Sequence, residues 1–158
     1  MFRLSIRAIG KYPESWQQEA ASIYQKRLKP LIALDVIEYP EGHTGSQTMD
    51  HDKTRRHEAE TLLKGISKDA FVVALDETGK NMSSATFAQT LTDWCEHGQR
   101  PAVFCIGGSW GLDVSVRVRA NATLSLGLMT LPHGLARVVL LEQLYRAVMI
   151  QQGKTYHK

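Results

Sequence analysis

The hydrophobic and polar positions of the chain alternate between a period of two and a period of 3.6, in the order expected of an α/β protein. Short apolar or alternating runs predict strands at 2–9, 34–39, 71–75, 102–106 and 123–129. Longer stretches with apolar residues at helical spacing predict helices at 14–28, 51–64, 83–97 and 135–150, with a further short helix between the last two strands. We therefore expect one domain, residues 1–158, with a mostly parallel sheet and helices on both faces.

A cluster of glycines, Gly107, Gly108 and Gly111, follows the fourth predicted strand. Adjacent glycines let a ligand approach the backbone closely, and strand ends at the carboxyl edge of a parallel sheet are where such proteins bind ligands. A turn that needs positive φ and holds no ligand explains the same glycines. The spacing is not GxGxxG, no acid follows about 20 residues later, and no GxxxxGK[ST] is present, so the dinucleotide and P-loop motifs are excluded.

The run 127–132 follows the fifth predicted strand and contains almost no reactive side chains. A ligand there would be held by main-chain N–H and C=O groups and by apolar walls, which suits the edge of a planar base. A strand end and turn without any ligand is the simpler interpretation from sequence alone.

The last predicted helix is apolar nearly all round, so it needs cover on several sides from its own sheet or from a second subunit. Glu142 and Arg146 stand within it at the i, i+4 spacing of an ion pair. The pair is either structural or a polar group beside a site. The end of the chain, Tyr156-His157-Lys158, combines a ring, an imidazole and a cation, and either frays or is held across a subunit interface.

Composition and charge narrow the classes of protein. Hydrophobic residues make up 43% and charged residues 22%, as in a soluble globular protein, and no apolar run approaches the roughly 20 residues of a membrane span. The start of the chain has no signal-peptide core, so we expect a cytoplasmic protein. Of the net charge of +3, residues 117–158 carry +5 and the rest −2, which fits a polyanionic partner or a solvated basic face.

Neither cysteines nor histidines predict a metal site. Cys95 and Cys105 form no CxxC motif and are expected to be reduced, buried thiols. His51 and His57 are six residues apart, which places them on different faces of a helix, so solvated surface is expected there.

Several ordered pieces of the sequence together resemble the RlmH family. They are Ile106-Gly107-Gly108-x-x-Gly111-Leu112, Leu124-Ser125-Leu126, Thr130-Leu131-Pro132-His133, the run from Arg137 to Ala147 with Glu142-Gln143-Leu144-Tyr145-Arg146, and the ending Tyr156-His157-Lys158. Members are SPOUT-class methyltransferases that methylate N3 of a pseudouridine in 23S ribosomal RNA. The resemblance covers the whole chain.

The resemblance implies a set of partners and a fold. It implies S-adenosylmethionine as cofactor, a homodimer, and a carboxy-terminal trefoil knot. The cofactor is expected at the backbone of one strand end and two loops: Leu75, Gly107, Gly108, Gly127, Leu128, Met129, Thr130, Leu131 and Pro132. Trp110 stands where some members have an acid, and is expected to wall the cofactor cleft.

The resemblance also suggests roles in the reaction. We expect Arg146 to stabilise charge, and His133, Tyr156 and His157 to face the substrate. Arg137 and Lys154 are expected to contact phosphates of the RNA, on the assembled ribosome. The alternative is a non-catalytic RNA-binding or ribosome-associated protein of the same fold; a hydrolase is disfavoured because no G-x-S-x-G motif is present.

Overall fold

The computed structural model describes residues 1–42, 50–95 and 99–156 of the chain. Strands and helices alternate along it. In chain order they are β1 (Arg3–Ile9), α1 (Ser15–Leu28), β2 (Ala33–Tyr39), α2 (His51–Leu63), β3 (Phe71–Lys80), α3 (Ser84–Trp94), β4 (Ala102–Ile106), α4 (Val114–Arg119), β5 (Ala122–Leu124) and α5 (His133–Gln151).

The five strands form one parallel sheet in the order β2-β1-β4-β3-β5. The central strand β4 pairs with β1 and β3, and all five of its residues are buried, which is why its sequence is continuously apolar. The predicted α/β class is therefore confirmed.

Helices cover both faces of the sheet. Because neighbouring strand residues point to opposite faces, Phe104 packs in a core with α1, α3 and α5, whereas Cys105 packs in a second core with α2 and α4. Cys95 and Cys105 are both free and buried, and burial raises the pKa of each thiol to about 11. Both thiols therefore stay protonated at neutral pH.

Two strand boundaries differ from the sequence prediction. β3 does not end at residue 75 but runs to Lys80, across an irregularity at which Leu75 and Lys80 both align with Leu124. The strand can pass this point because Gly79 has no side chain: a Cβ there would lie 2.7 Å from the Leu124 carbonyl carbon.

β5 is shorter than the predicted 123–129. It ends at Leu124, and the side chain of the next residue, Ser125, forms hydrogen bonds within its own segment. Its Oγ donates to the Gly127 carbonyl at 2.7 Å and accepts from the Gly127 N–H at 3.3 Å, which starts a loop.

α5 begins at His133, two residues earlier than predicted, with Pro132 at the N-cap position. It packs against α1 and α3, and none of its residues from 134 to 150 is exposed. The sheet and these two helices therefore bury much of its apolar surface, while apolar residues such as Val138, Val139 and Ile150 are only partly buried. Among the described helices none is long and apolar enough to cross a membrane.

The other boundaries agree within a few residues. α3 ends at Trp94, and the predicted end at His97 and Gly98 lies outside the described residues.

Candidate active site

The ends of β3, β4 and β5 and the start of α5 enclose a cleft of about 780 Å³. The cleft lies at the carboxyl edge of the parallel sheet, where open α/β sheets bind their ligands. Its volume is in the range of sites for small molecules and cofactors.

The structure brings together most of the residues that the sequence assigned to a cofactor. Eight of the nine line the cleft: Leu75, Gly107, Gly108, Gly127, Met129, Thr130, Leu131 and Pro132. Leu128 does not; its side chain is 91% exposed and borders a neighbouring cavity of about 440 Å³. The cofactor role of all nine stays a prediction.

The glycine cluster after β4 forms a tight turn that is one wall of the cleft. The Gly111 N–H donates to the Gly108 carbonyl at 3.1 Å, and Gly111 has φ +76°. At Gly107 a Cβ would lie 2.6 Å from the Gly111 carbonyl carbon, so no larger residue fits without a shift of the backbone. The turn therefore requires these glycines whether or not a ligand is bound.

Two carboxylates in the second half of β3, Asp76 and Glu77, also line the cleft; they were not predicted because the predicted strand ended at residue 75. Asp76 accepts hydrogen bonds from Thr78 and a bond of 2.8 Å from Arg117. Burial raises the pKa of Asp76, but the bonds from Thr78 and Arg117 outweigh it and the pKa lies below its usual value. Glu77 accepts from the Thr130 hydroxyl at 2.6 Å, which ties the 127–132 loop to β3.

His133 lines the cleft and is the first residue of α5. Burial, and then the charge of Arg137, hold its pKa below the usual value, against opposing effects of Glu41 and the Lys11 backbone. The imidazole is therefore neutral at pH 7 and able to accept a proton.

Arg137 is not available to RNA, so the expected phosphate contact is wrong. Its side chain is completely buried, pairs with Glu38 at 3.1 Å and donates to the Gly10 carbonyl at 2.9 Å. The guanidinium also lies over the ring of Tyr12, at 4.4 Å from its centroid. Arg137 holds the loop after β1 against α5.

Arg146 and Tyr156 lie together but away from the cleft. Arg146 pairs with Glu142 at 2.7 Å, donates to the Tyr156 carbonyl at 2.8 Å and lies over the Tyr156 ring. It is about 20 Å further along α5 than His133, at about 1.5 Å per residue. Lys154 is exposed and is not among the cleft residues, and His157 lies outside the described residues.

Trp110 also lines the cleft and is partly exposed; that it walls a cofactor site stays a prediction. Its ring packs against that of His51, the first residue of α2, with the two centroids 3.6 Å apart and the ring planes tilted by 35°. Arg55 and Arg117 line the same cleft, and no feature of the sequence predicted Arg55 as a site residue. Within the described parts of the chain, no three His, Cys, Asp or Glu side chains come together as a metal site.

The fold and the cleft define a class: an α/β protein with a cleft for a small ligand at the carboxyl ends of β3, β4 and β5, lined in part by main-chain groups. Comparison with known families narrows this class. A family model described as "Predicted SPOUT methyltransferase" matches residues 2–157. The chain belongs to the SPOUT methyltransferase family.

Curated relatives match over nearly their whole length. A protein from Streptococcus equi subsp. zooepidemicus is 40% identical over 158 residues, with 99% of each chain covered. One from Carboxydothermus hydrogenoformans is 41% identical over 157 residues, covering 98% of this chain and 99% of its own. Both are named "Ribosomal RNA large subunit methyltransferase H".

Solved structures share the fold at low identity. A probable methylase family protein from Haemophilus influenzae has a TM-score of 0.55 at 12% identity, covering 99% of this chain and 71% of its own. A probable rRNA-methyltransferase from Porphyromonas gingivalis has a TM-score of 0.55 at 15% identity, covering 95% of this chain and 69% of its own. These similarities support the fold alone.

Proposed function

We propose that this protein transfers a methyl group from S-adenosylmethionine to N3 of a pseudouridine in 23S ribosomal RNA, in the cytoplasm and on the assembled ribosome. The observation that carries the proposal is the cleft at the ends of β3, β4 and β5, formed by a chain of the SPOUT methyltransferase family. The names of the curated relatives supply ribosomal RNA of the large subunit as the substrate class.

The residues of the cleft suit the proposed cofactor. Its inner wall is apolar, with Leu75, Ile106 and Leu124 from three adjacent strands, and the 127–132 loop adds main-chain donors and acceptors for a base edge. The cofactor also carries positive charge and ribose hydroxyls, for which Asp76 and Glu77 provide carboxylates. The bound cofactor would supply a methyl group on a sulfonium, and attack on the methyl carbon in line would release the neutral thioether, S-adenosylhomocysteine.

The protein has to align the cofactor with the base and to accept the proton that N3 loses. N3 of pseudouridine carries a proton that must leave before the nitrogen can attack. His133 is a suitable acceptor, since its lowered pKa keeps the imidazole neutral beside the cleft. A cation near the base would favour the anionic form of N3, and we assign that role to Arg146.

Arg146 and Tyr156 reach the reaction only if a second copy of the chain brings them there, because Arg146 lies far along α5 from His133 and Tyr156 follows the end of that helix. We therefore propose a homodimer in which the 146–158 segment of one subunit, with Lys154 and His157, faces the substrate at the cleft of the other. The trefoil knot stays a prediction of the family resemblance.

The test is to incubate the purified protein with labelled S-adenosylmethionine and ribosomes that lack the modification, and then to analyse the digested nucleosides by mass. Label in 3-methylpseudouridine is expected. Label in another nucleoside would move the target within ribosomal RNA. Absence of label, together with absence of cofactor binding, would favour the non-catalytic alternative.

A further inference from the structure

Trp110 is presented at the mouth of the cleft by a rigid turn. It follows Gly108 and Ser109 in the turn closed by the Gly111 N–H, and the close packing of Gly107 against Gly111 fixes that turn. The side chain is 42% exposed, unlike Ile106 and Leu124, which are each 3% exposed. An indole so exposed contributes little to folding, so its position calls for another explanation.

One face of the indole is already supported. The His51 ring lies 3.6 Å away between centroids, with an angle of 35° between the ring planes. His51 is itself held at the start of α2, where Asp50 caps the helix by accepting from the Asp52 and Lys53 N–H groups. The indole is therefore supported by His51 and still partly exposed beside the cleft.

Two arginines share this cleft with Trp110. Arg55 and Arg117 line it, and each also pairs with a carboxylate, Asp52 and Asp76 respectively. An exposed aromatic ring beside guanidinium groups is the combination by which proteins hold single-stranded RNA, with the ring stacking on a base and the cations near phosphates.

We propose that Trp110 stacks on a base of the RNA substrate at the mouth of the cleft, with His51 bracing the indole. This inference rests on the proposed function, since it takes ribosomal RNA as the substrate. RNA is favoured over the adenine of the cofactor because the buried strand ends provide an enclosed apolar surface deeper in the cleft.

The test compares Trp110→Leu, which keeps an apolar side chain, with Trp110→Phe, which keeps a ring. We expect Trp110→Leu to raise KM for unmodified ribosomes about tenfold, the usual effect of losing one stacked base. Its Kd for S-adenosylhomocysteine should stay within about twofold of the wild type. Trp110→Phe should retain most of the RNA affinity, and His51→Ala should raise KM less than Trp110→Leu.

A control variant is Trp16→Leu, which removes a second exposed indole, 52% exposed on α1, that does not line the cleft. It should leave KM unchanged. If the Leu variant does not fold, Trp110→Gln takes its place as the variant without a ring.

Two outcomes would contradict this inference. Equal KM values for Trp110→Leu and Trp110→Phe would exclude stacking. A loss of S-adenosylhomocysteine affinity without a change in KM for ribosomes would assign Trp110 to the cofactor. An inactive wild type would instead contradict the proposed function as a whole.

Discussion

Arg137 and Arg146 show how differently the same side chain is used on one helix. Arg137 is completely buried, with its charge met by Glu38 and by main-chain carbonyls. Arg146 is partly exposed and bound to Glu142 and to the main chain of Tyr156. The first is a structural residue that fixes the loop after β1, and the second keeps a guanidinium at the surface where a substrate can reach it.

Arg146→Ala should lower turnover far more than cofactor affinity. Removing one group that stabilises developing negative charge typically costs about 10²–10³ in kcat. The measurement is kcat on unmodified ribosomes together with the Kd of S-adenosylhomocysteine. Arg27→Ala is a control, because Arg27 lies over the neighbouring rings of Tyr24 and Tyr145. Normal turnover with lost cofactor binding would overturn the role of Arg146.

His133 should make the stability of the protein depend on pH. Its pKa in the folded protein is below its unfolded value of about 6.5, so the unfolded state binds more protons. Stability is therefore lost as the pH falls from about 6.5 through the folded pKa. Urea unfolding at pH 7.5 and 5.5 should show a smaller loss in His133→Asn than in the wild type. An equal loss in both proteins would refute the assignment.

At the level of elements, the cleft is built from backbone irregularities that follow regular strands. β4 is followed by the Gly107–Gly111 turn. β3 has an irregular register between Leu75 and Lys80, where Gly79 packs against Leu124. β5 ends at Leu124, and the loop that follows begins at Ser125. The three strands are adjacent in the sheet, so their irregular ends meet at one edge. This places main-chain groups of the glycine turn and of the 127–132 loop along the cleft, together with the side chains that line it.

Gly107→Ala should damage the cleft more than the fold. The added methyl group would lie 2.6 Å from the Gly111 carbonyl carbon, so the turn has to move, at a cost of about 1–3 kcal/mol in stability. Affinity for S-adenosylhomocysteine should fall at least about tenfold, since a displacement of the turn alters one wall of the cleft. Calorimetric titration and urea unfolding would measure the two effects.

Gly65→Ala is the matched control for that change. Gly65 has φ +70° but a Cβ there meets nothing within 4 Å, and the residue does not line the cleft. It should lose about 1 kcal/mol of stability to backbone strain and keep its affinity. Equal affinities for the two variants would show that the turn does not contact the ligand.

At the scale of the whole molecule, the separation of His133 from Arg146 has a consequence for assembly. If each site combines His133 of one subunit with Arg146 of its partner, then His133→Ala and Arg146→Ala damage different halves of the site. A mixed dimer would contain one site with both native residues and one with neither.

Mixing the two inactive variants, after partial unfolding and refolding to exchange subunits, should restore activity. Random exchange makes half of the dimers mixed, each with one intact site, so about a quarter of wild-type activity is expected. Each variant refolded alone is the control. No recovery, with dimers verified by sedimentation, would contradict a site shared between subunits.

Much of the fold was predictable because it depends on local periodicity. The continuous apolar run of β4 and the helical spacing on α1 predicted those elements within a residue or two. β3 and β5 were less predictable, since where they end depends on contacts between Gly79, Leu124 and Ser125 that are distant in sequence.

The sequence by itself determined the alternation of strands and helices, the glycine positions of the turn after β4, and the family. Each depends on residues that are close together in the sequence, because periodicity, backbone freedom and motif spacing are local properties. Only the tertiary structure decided that Arg137 is buried, that Asp76, Glu77 and Arg55 line the cleft, and that Trp110 rests on His51. These facts depend on the order of strands in the sheet and on the packing of helices over it, which bring together residues far apart along the chain.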